Sequence, residues 1–482
     1  MSGDKKSNYG RLLTILILAL GICLAMYWLP DSLFGLKIKK VDLLSDIRIK
    51  TDTLSLAQFQ QQLIDSDTLQ IDSVALRDSL AQHTGLDSTA LAVRDSLFQL
   101  LKAGNQADTL GICRIEDYSP GHIGLRRFIK ALNNVDRMNR PVRIAFLGDS
   151  FIEGDILVAD FREILQEMFG GHGVGFIPMA SEVAKYRPTI TVDSKGWKPS
   201  SVLTNKTEAF TLPGLIFTSD KENASITFKG SNRYKGLNQA STLHVLYQEN
   251  DSTRLLYTSK ELQDTVPYPL EPTNSVKQQT LKGKFTEASL IFEKTPGFKA
   301  LGFALEDERG ISVDNFSLRG SSGLPLQQLD EETCKELSEI RPYDLIILQY
   351  GLNVVSEDML QYGWYRQSML QAVKHLRNCF PDTDILLLGV SDRGQQIDSE
   401  FKTMPAVMAL LHTQRQLAKQ SGLPFWNTFE AMGGENSIVR YVENNWASKD
   451  YTHMSFRGGK EIAKKLVDAI LLEKDLYEQV ED

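Results

Sequence analysis

Three short, almost uninterrupted apolar runs, at 142–147, 344–350 and 384–390, limit what this chain can fold into. A strand with one wet face alternates apolar and polar residues. These runs do not alternate, so both of their faces are covered, as in a parallel sheet. Helical spacing of apolar residues follows them and predicts helices over 331–340, 358–379, 400–421 and 457–473, with a last strand at 423–427. Strands alternating with helices through right-handed crossovers give an α/β fold with a doubly wound sheet.

The first run ends in Gly148-Asp149-Ser150. Ligands of open α/β sheets sit outside the carboxyl ends of the strands, so Ser150 stands where chemistry happens. The competing reading is a plain strand-to-helix turn with Ser150 as an N-cap. A nucleophilic serine also needs a base, a carboxylate to orient the base, and donors for the oxyanion. His453 in Asp450-Tyr451-Thr452-His453 is the base candidate, with Asp450 three residues before it. A bare Asp-x-x-His is also a common surface pair. His375 and His412 fall within expected helices and read as structural. Asn353 follows the 344–350 strand and can offer a side-chain amide; its alternative is a turn asparagine. Gly320, in a loop after a short strand at 311–313, can offer a backbone N–H, and Gly323 is the alternative donor. Asp149 reads as a residue that fixes the turn.

The remainder of the chain divides by texture. Residues 12–29 carry no charge and end in Tyr27-Trp28. As a helix they cover about 27 Å, close to a bilayer core. We expect a cytoplasmic tail at 1–11, an uncleaved membrane anchor at 12–29 and a stalk at 30–112, helical or disordered. Asp-Ser pairs recur in that stalk, starting at Asp65, Asp72, Asp78, Asp87 and Asp95. Strand-like stretches with turn-rich links fill 181–310 and predict an all-β sandwich inserted between two α/β segments, 113–180 and 311–482. Trp197, Tyr234 and Tyr247 are its candidate sugar-binding aromatics. Beyond Cys23, the cysteines are Cys113, Cys334 and Cys379, which allow one disulfide and a free thiol. No Cys/His cluster has metal-ligand spacing. A net charge of −8 argues against nucleic acid as a partner.

Taken together, Gly148-Asp149-Ser150, Gly320, Gly351-x-Asn353 and Asp450-x-x-His453 resemble the four blocks of the SGNH family, also known as GDSL hydrolases. Gly320 is the loosest match. The resemblance implies a flavodoxin-like α/β/α sandwich, Ser150 as nucleophile, His453 as base and Asp450 as its orienting carboxylate. It implies an oxyanion hole from the Ser150 and Gly320 N–H groups and the Asn353 amide, and no cofactor or metal. With the anchor and insert, it points to an extracytoplasmic esterase acting on O-acetylated peptidoglycan or another polysaccharide. Two other readings remain: an O-acetyltransferase using the same site, and a membrane-tethered glycan-binding scaffold without activity.

Overall fold

The computed structural model describes residues 88–104, 111–183, 186–259 and 264–481, with two short strands, Ser32–Leu33 and Leu36–Lys37, that pair antiparallel. Those two strands belong to a separate unit, Met1–Gln70; everything below concerns the second unit, Ile71–Asp482. The expected anchor at 12–29 lies outside the described residues. Among the described residues no helix is long and apolar enough to cross a membrane.

Part of the expected stalk is α1 (Ser88–Gly104). It buries Leu91 and Phe98, and Phe98 stacks on His122 and meets Tyr477 edge-on. This end of the segment is therefore docked on the α/β part. There follow β1 (Ile115–Asp117), α2 (Arg126–Asn133), β2 (Val142–Gly148) and α3 (Val158–Phe169).

The chain then leaves the sheet. It builds β3 (Gly175–Pro178), β4 (Ile190–Lys195), β5 (Lys198–Ser201), β6 (Leu215–Thr218) and β7 (Asn223–Gly230). Next come β8 (Ala240–Glu249), β9 (Arg254–Thr258), β10 (Val266–Pro269) and β11 (Lys277–Phe285). The excursion ends with β12 (Glu287–Glu293) and β13 (Lys299–Glu306). Their order is β11-β8-β13-β6-β5 in one sheet, with β3 added beside β13, and β10-β9-β12-β7-β4 in the other. Rings from the two sheets meet in one core, Phe228 on Phe303 at 5.4 Å, and Phe298, just before β13, packs on Phe292 at 5.8 Å. The sandwich sheet thus already begins at Gly175.

The return adds β14 (Ile311–Ser317), α4 (Glu331–Ile340), β15 (Leu345–Gln349), α5 (Gly363–Cys379) and β16 (Asp384–Leu388). A hairpin follows, β17 (Gly394–Ile397) and β18 (Glu400–Thr403), and then α6 (Pro405–Ser421). The chain closes with β19 (Pro424–Trp426), α7 (Thr428–Met432), α8 (Ser437–Glu443) and α9 (Phe456–Glu481). Two helices start later than their spacing suggests, at Gly363 and Pro405. Residues 400–403, expected as helix, are a hairpin strand. The main sheet runs β14-β2-β15-β16-β19-β1, parallel except for β1. The five parallel strands, in chain order, stand 2-1-3-4-5, the flavodoxin-like arrangement. Every residue of β2 and β15 is buried. No disulfide forms among the described residues: Cys113, Cys334 and Cys379 are free thiols. Burial pushes the Cys113 thiol up to about 12, which leaves it unreactive.

A buried charge network joins sandwich and sheet. Glu306 ends β13. It accepts from Arg143 of β2 at 2.7 Å and from Arg341, just after α4, at 2.8 Å. Arg341 also grips Asp314 of β14 at 2.8 Å, and the Tyr343 hydroxyl donates to Asp314 at 2.7 Å. Burial opposes the Glu306 charge, but Arg143 and Arg341 hold its pKa well below the usual range. Removing one partner of such a pair strands the others, at a cost of about 3–5 kcal/mol. Glu306→Ala is therefore expected to lower unfolding free energy by about that much in urea titrations. A loss under about 1 kcal/mol would show that the network holds nothing together.

Candidate active site

Three strand ends lie in register. Gly148 of β2 pairs with Ser317 of β14 on one side and Gln349 of β15 on the other. The loops that leave them converge where the strand order reverses. A Cβ at Gly148 would lie 2.9 Å from the Gln349 carbonyl oxygen. Close approach of neighbouring strands, more than turn geometry, demands glycine there. Ser150 follows in a turn. Helix α3 begins only at Val158 with Leu157 before it, so Ser150 caps no α-helix.

Ser150 Oγ lies 3.3 Å from His453 Nε2, and His453 Nδ1 lies 2.7 Å from Asp450 Oδ2. With the Nδ1 proton donated to Asp450, Nε2 is free to accept the serine proton. Asp450 is fixed by amide donors, Thr452 at 2.9 Å and His453 at 3.0 Å, and by the Ser448 hydroxyl. Burial acts to raise the Asp450 pKa, but the Ser448 and His453 hydrogen bonds outweigh it and hold the carboxyl below its ordinary range. The pair sits in an open turn between α8 and α9, with side chains 50% and 48% exposed. Tyr451 between them has φ +53°; its carbonyl accepts from Gly394 at 2.8 Å. Its ring stacks on Phe401 of β18 at 3.7 Å. The hairpin that replaces the expected helix start thus braces the histidine turn.

Asn353 Nδ2 donates to Asp149 Oδ2 and to the Ser321 carbonyl, each at 3.1 Å. Asp149 is fully buried and also accepts from the Phe151 amide at 2.9 Å. It both fixes the serine turn and aims Asn353. Burial pushes the Asp149 carboxyl up to about 6, against the Phe151 and Asn353 hydrogen bonds and the His453 charge. Gly320 has φ +79°, a region that favours glycine, and a Cβ there would meet open space. Its N–H has no partner among the described residues. The Gly323 N–H already donates to Ser321 Oγ at 3.2 Å.

Supporting residues escaped sequence reasoning. Arg319, beside Gly320, donates to Glu153 at 2.9 Å and ties the glycine loop to the serine loop. Asp155 is fully buried. It accepts from Arg187 at 2.7 Å, Arg162 at 3.3 Å and Asn315 at 2.9 Å. Only their nearness to Ser150 and Gly320 marked them. The candidate aromatics of the insert are not a binding surface. Trp197 packs on Phe292 and Phe298, Tyr247 is core, and Tyr234 is buried and donates to Asp160 at 3.0 Å. No group of metal-ligating side chains occurs among the described residues.

Beside the serine loop a cleft of about 560 Å³ opens between the two parts of the molecule. Glu153, Leu318 and Arg319 line one wall; Ile177, Val192 and Leu215 of the sandwich line the other.

No family model matches this chain, and no curated protein matches it. Among solved structures it is similar to a peptidoglycan O-acetylesterase at TM-score 0.61 and 22% identity, over 75% of this chain and 99% of that one. It also aligns with a family two carbohydrate esterase from Cellvibrio japonicus, at TM-score 0.26 and 10% identity over 63% and 98% of the two chains. A lipase/acylhydrolase from Enterococcus faecalis aligns at TM-score 0.24 and 15% identity over 33% and 76%. The architecture is an SGNH hydrolase-like fold. In this chain the fold is interrupted by a β-sandwich after its first parallel strand and helix.

Burial raises the Asp149 carboxyl to about 6 in the folded chain, above its ordinary value of 3.8. Between those values the folded chain holds a proton that the unfolded chain has released, so the Asp149 contribution to stability falls as pH rises. From pH 4 to pH 8 the wild type should lose on the order of 3 kcal/mol relative to Asp149→Asn, read by urea unfolding at each pH. Parallel profiles would refute this account of Asp149.

Proposed function

We propose that the chain is a serine esterase that hydrolyses O-acetyl esters on peptidoglycan or another polysaccharide. The observation that carries this reading is the relay from Ser150 through His453 to Asp450 at the strand-order reversal. Ser150 Oγ attacks the acetyl carbonyl carbon while His453 takes its proton. The sugar oxygen leaves with that proton, and an acetyl-enzyme remains. Water, deprotonated by His453, then releases acetate and restores Ser150. Asp450 stabilises the imidazolium and fixes its tautomer.

The oxyanion is met by the Ser150 and Gly320 N–H groups and the Asn353 amide. Both Asn353 protons are engaged in the resting site. The oxyanion takes over the one now on the Ser321 carbonyl, while Asp149 keeps the other and holds the amide in aim. The half-exposed dyad gives water free access to the acetyl-enzyme.

Likeness to a peptidoglycan O-acetylesterase over nearly the whole length of that protein supports the substrate class. A cleft of about 560 Å³ next to the loop that carries Ser150, lined by Glu153 and Arg319 but not by Ser150 itself, has room for a saccharide unit. The uncharged run at 12–29 would anchor the enzyme in the cytoplasmic membrane with its site outside.

The full chain should release acetate from an aryl acetate and from O-acetylated peptidoglycan, measured by enzyme-coupled acetate assay. Ser150→Ala should lower kcat by about 10⁵-fold or more. Asn353→Ala should lower it by about 10²–10³-fold. Acetate release that survives in Ser150→Ala would sink the mechanism. Acetylated acceptor glycan in place of acetate would make the enzyme a transferase.

A further inference from the structure

A second cavity, of about 670 Å³, lies at the other end of the sheet, by the amino-terminal residues of β16 and β19. Helix α2 lines it with Arg126, Arg127 and Lys130; helix α5 lines it with Lys374 and Arg377. Five cations on one cavity are notable in a chain of net charge −8. Acids outside the cavity engage the α2 side: Glu481 meets Arg126 at 3.1 Å and Lys130 at 3.6 Å, and Asp382 meets Arg127 at 3.2 Å. On the α5 side, Lys374 and Arg377 have no ion pair among the described residues.

Arg377 is half-buried, and burial lowers its pKa with no carboxylate to offset that effect. A desolvated guanidinium without a counter-ion is costly, and an arriving anion removes the cost. The one carboxyl group in the lining, Asp384, accepts from the Phe128 amide at 2.9 Å, and burial pushes it up to about 8. It opposes an anion only weakly at neutral pH. The planar fork of arginine matches phosphate oxygens two at a time. Ile123 and Leu423 add apolar wall for a carbon body.

We propose that this cavity binds a phosphate ester, with Arg377 and Lys374 as the cations that take the phosphate. The ester is either a soluble phosphate or the headgroup of an anionic lipid. The inference is independent of the reaction proposed for Ser150.

The test uses the full chain in detergent with inorganic phosphate and glycerol phosphate as probes, read by titration calorimetry. A second arm uses the chain with vesicles of phosphatidylglycerol or phosphatidylcholine, read by co-flotation. Arg377→Gln and Lys374→Glu should each weaken glycerol phosphate binding at least about ten-fold; unchanged melting and aryl acetate hydrolysis would confirm their fold. Lys374 is exposed, so its variant tests the site even if Arg377→Gln fails to fold. Glycerol phosphate binding without a vesicle difference assigns a soluble ligand. Stronger capture by phosphatidylglycerol than by phosphatidylcholine, lost in the variants, assigns a headgroup. Equal binding by wild type and variants, or none by the wild type in either arm, overturns the proposal.

Discussion

The molecule depends on a carboxylate that should not be where it is. Glu306 is 1% exposed, and moving such an ion out of water costs several kcal/mol. Only close, well-aligned partners offset that cost. Arg143 and Arg341 both reach it, and Arg341 also reaches Asp314. The two arginines and the two carboxylates offset one another, and His244 Nε2 lies 3.1 Å from Glu306 as well. Their positions matter more than their sum. Glu306 closes a sandwich strand, Arg143 and Asp314 belong to neighbouring sheet strands, and Arg341 enters the next one. Sliding or turning the insert would pull Glu306 from both arginines at once, so the insert and the sheet hold one fixed arrangement.

Asp155 repeats the device close to the chemistry. It lies five residues beyond Ser150, and it is gripped by Arg162 from α3, Asn315 from β14 and Arg187 from the approach to the sandwich. The loop that presents Ser150 is thereby locked to both parts of the molecule. The other half of the site is built differently. Asp450 and His453 are half-exposed and held by bonds within their own turn, with Tyr451 braced by Gly394 and Phe401. A serine on a rigid loop faces a histidine on an open turn. The 3.3 Å contact from the serine hydroxyl to the histidine nitrogen is long for a hydrogen bond, as is common in sites without substrate.

The sequence revealed those elements whose physics is local. Strands β2, β15 and β16 showed as apolar runs because helices cover both their faces. The sandwich strands showed through alternation and frequent turns. Residues 394–403 did not show: the hairpin is polar on both sides and has no apolar period to read. The helix at 88–104 looked like spacer because few of its described residues, Leu91, Phe98 and in part Leu101, commit it to the core. Trp197, Tyr234 and Tyr247 carry no mark in sequence that separates a core ring from a sugar platform. In the site, Ser150, Asn353, Asp450 and His453 could be picked out by chemistry and by position after strands. The Glu153–Arg319 tie could not, since its partners stand 166 residues apart and neither belongs to a periodic pattern.

Topology explains why the insert and the serine meet. The sandwich is inserted after α3 and before β14, and β14 is the edge of the parallel sheet. An uncovered edge strand invites pairing with other chains. Here β3 lies against β14: Asp314 accepts the Phe176 amide at 2.8 Å, and Phe176 meets Phe316 edge-on at 5.1 Å. The carboxyl end of β14 lies level with Gly148, so a module that covers this edge along its length must reach the height of Ser150. Covering the edge and walling the cleft are therefore one placement. An insertion between β15 and β16 would cover no edge and would stand on the far side of the point where the strand order reverses.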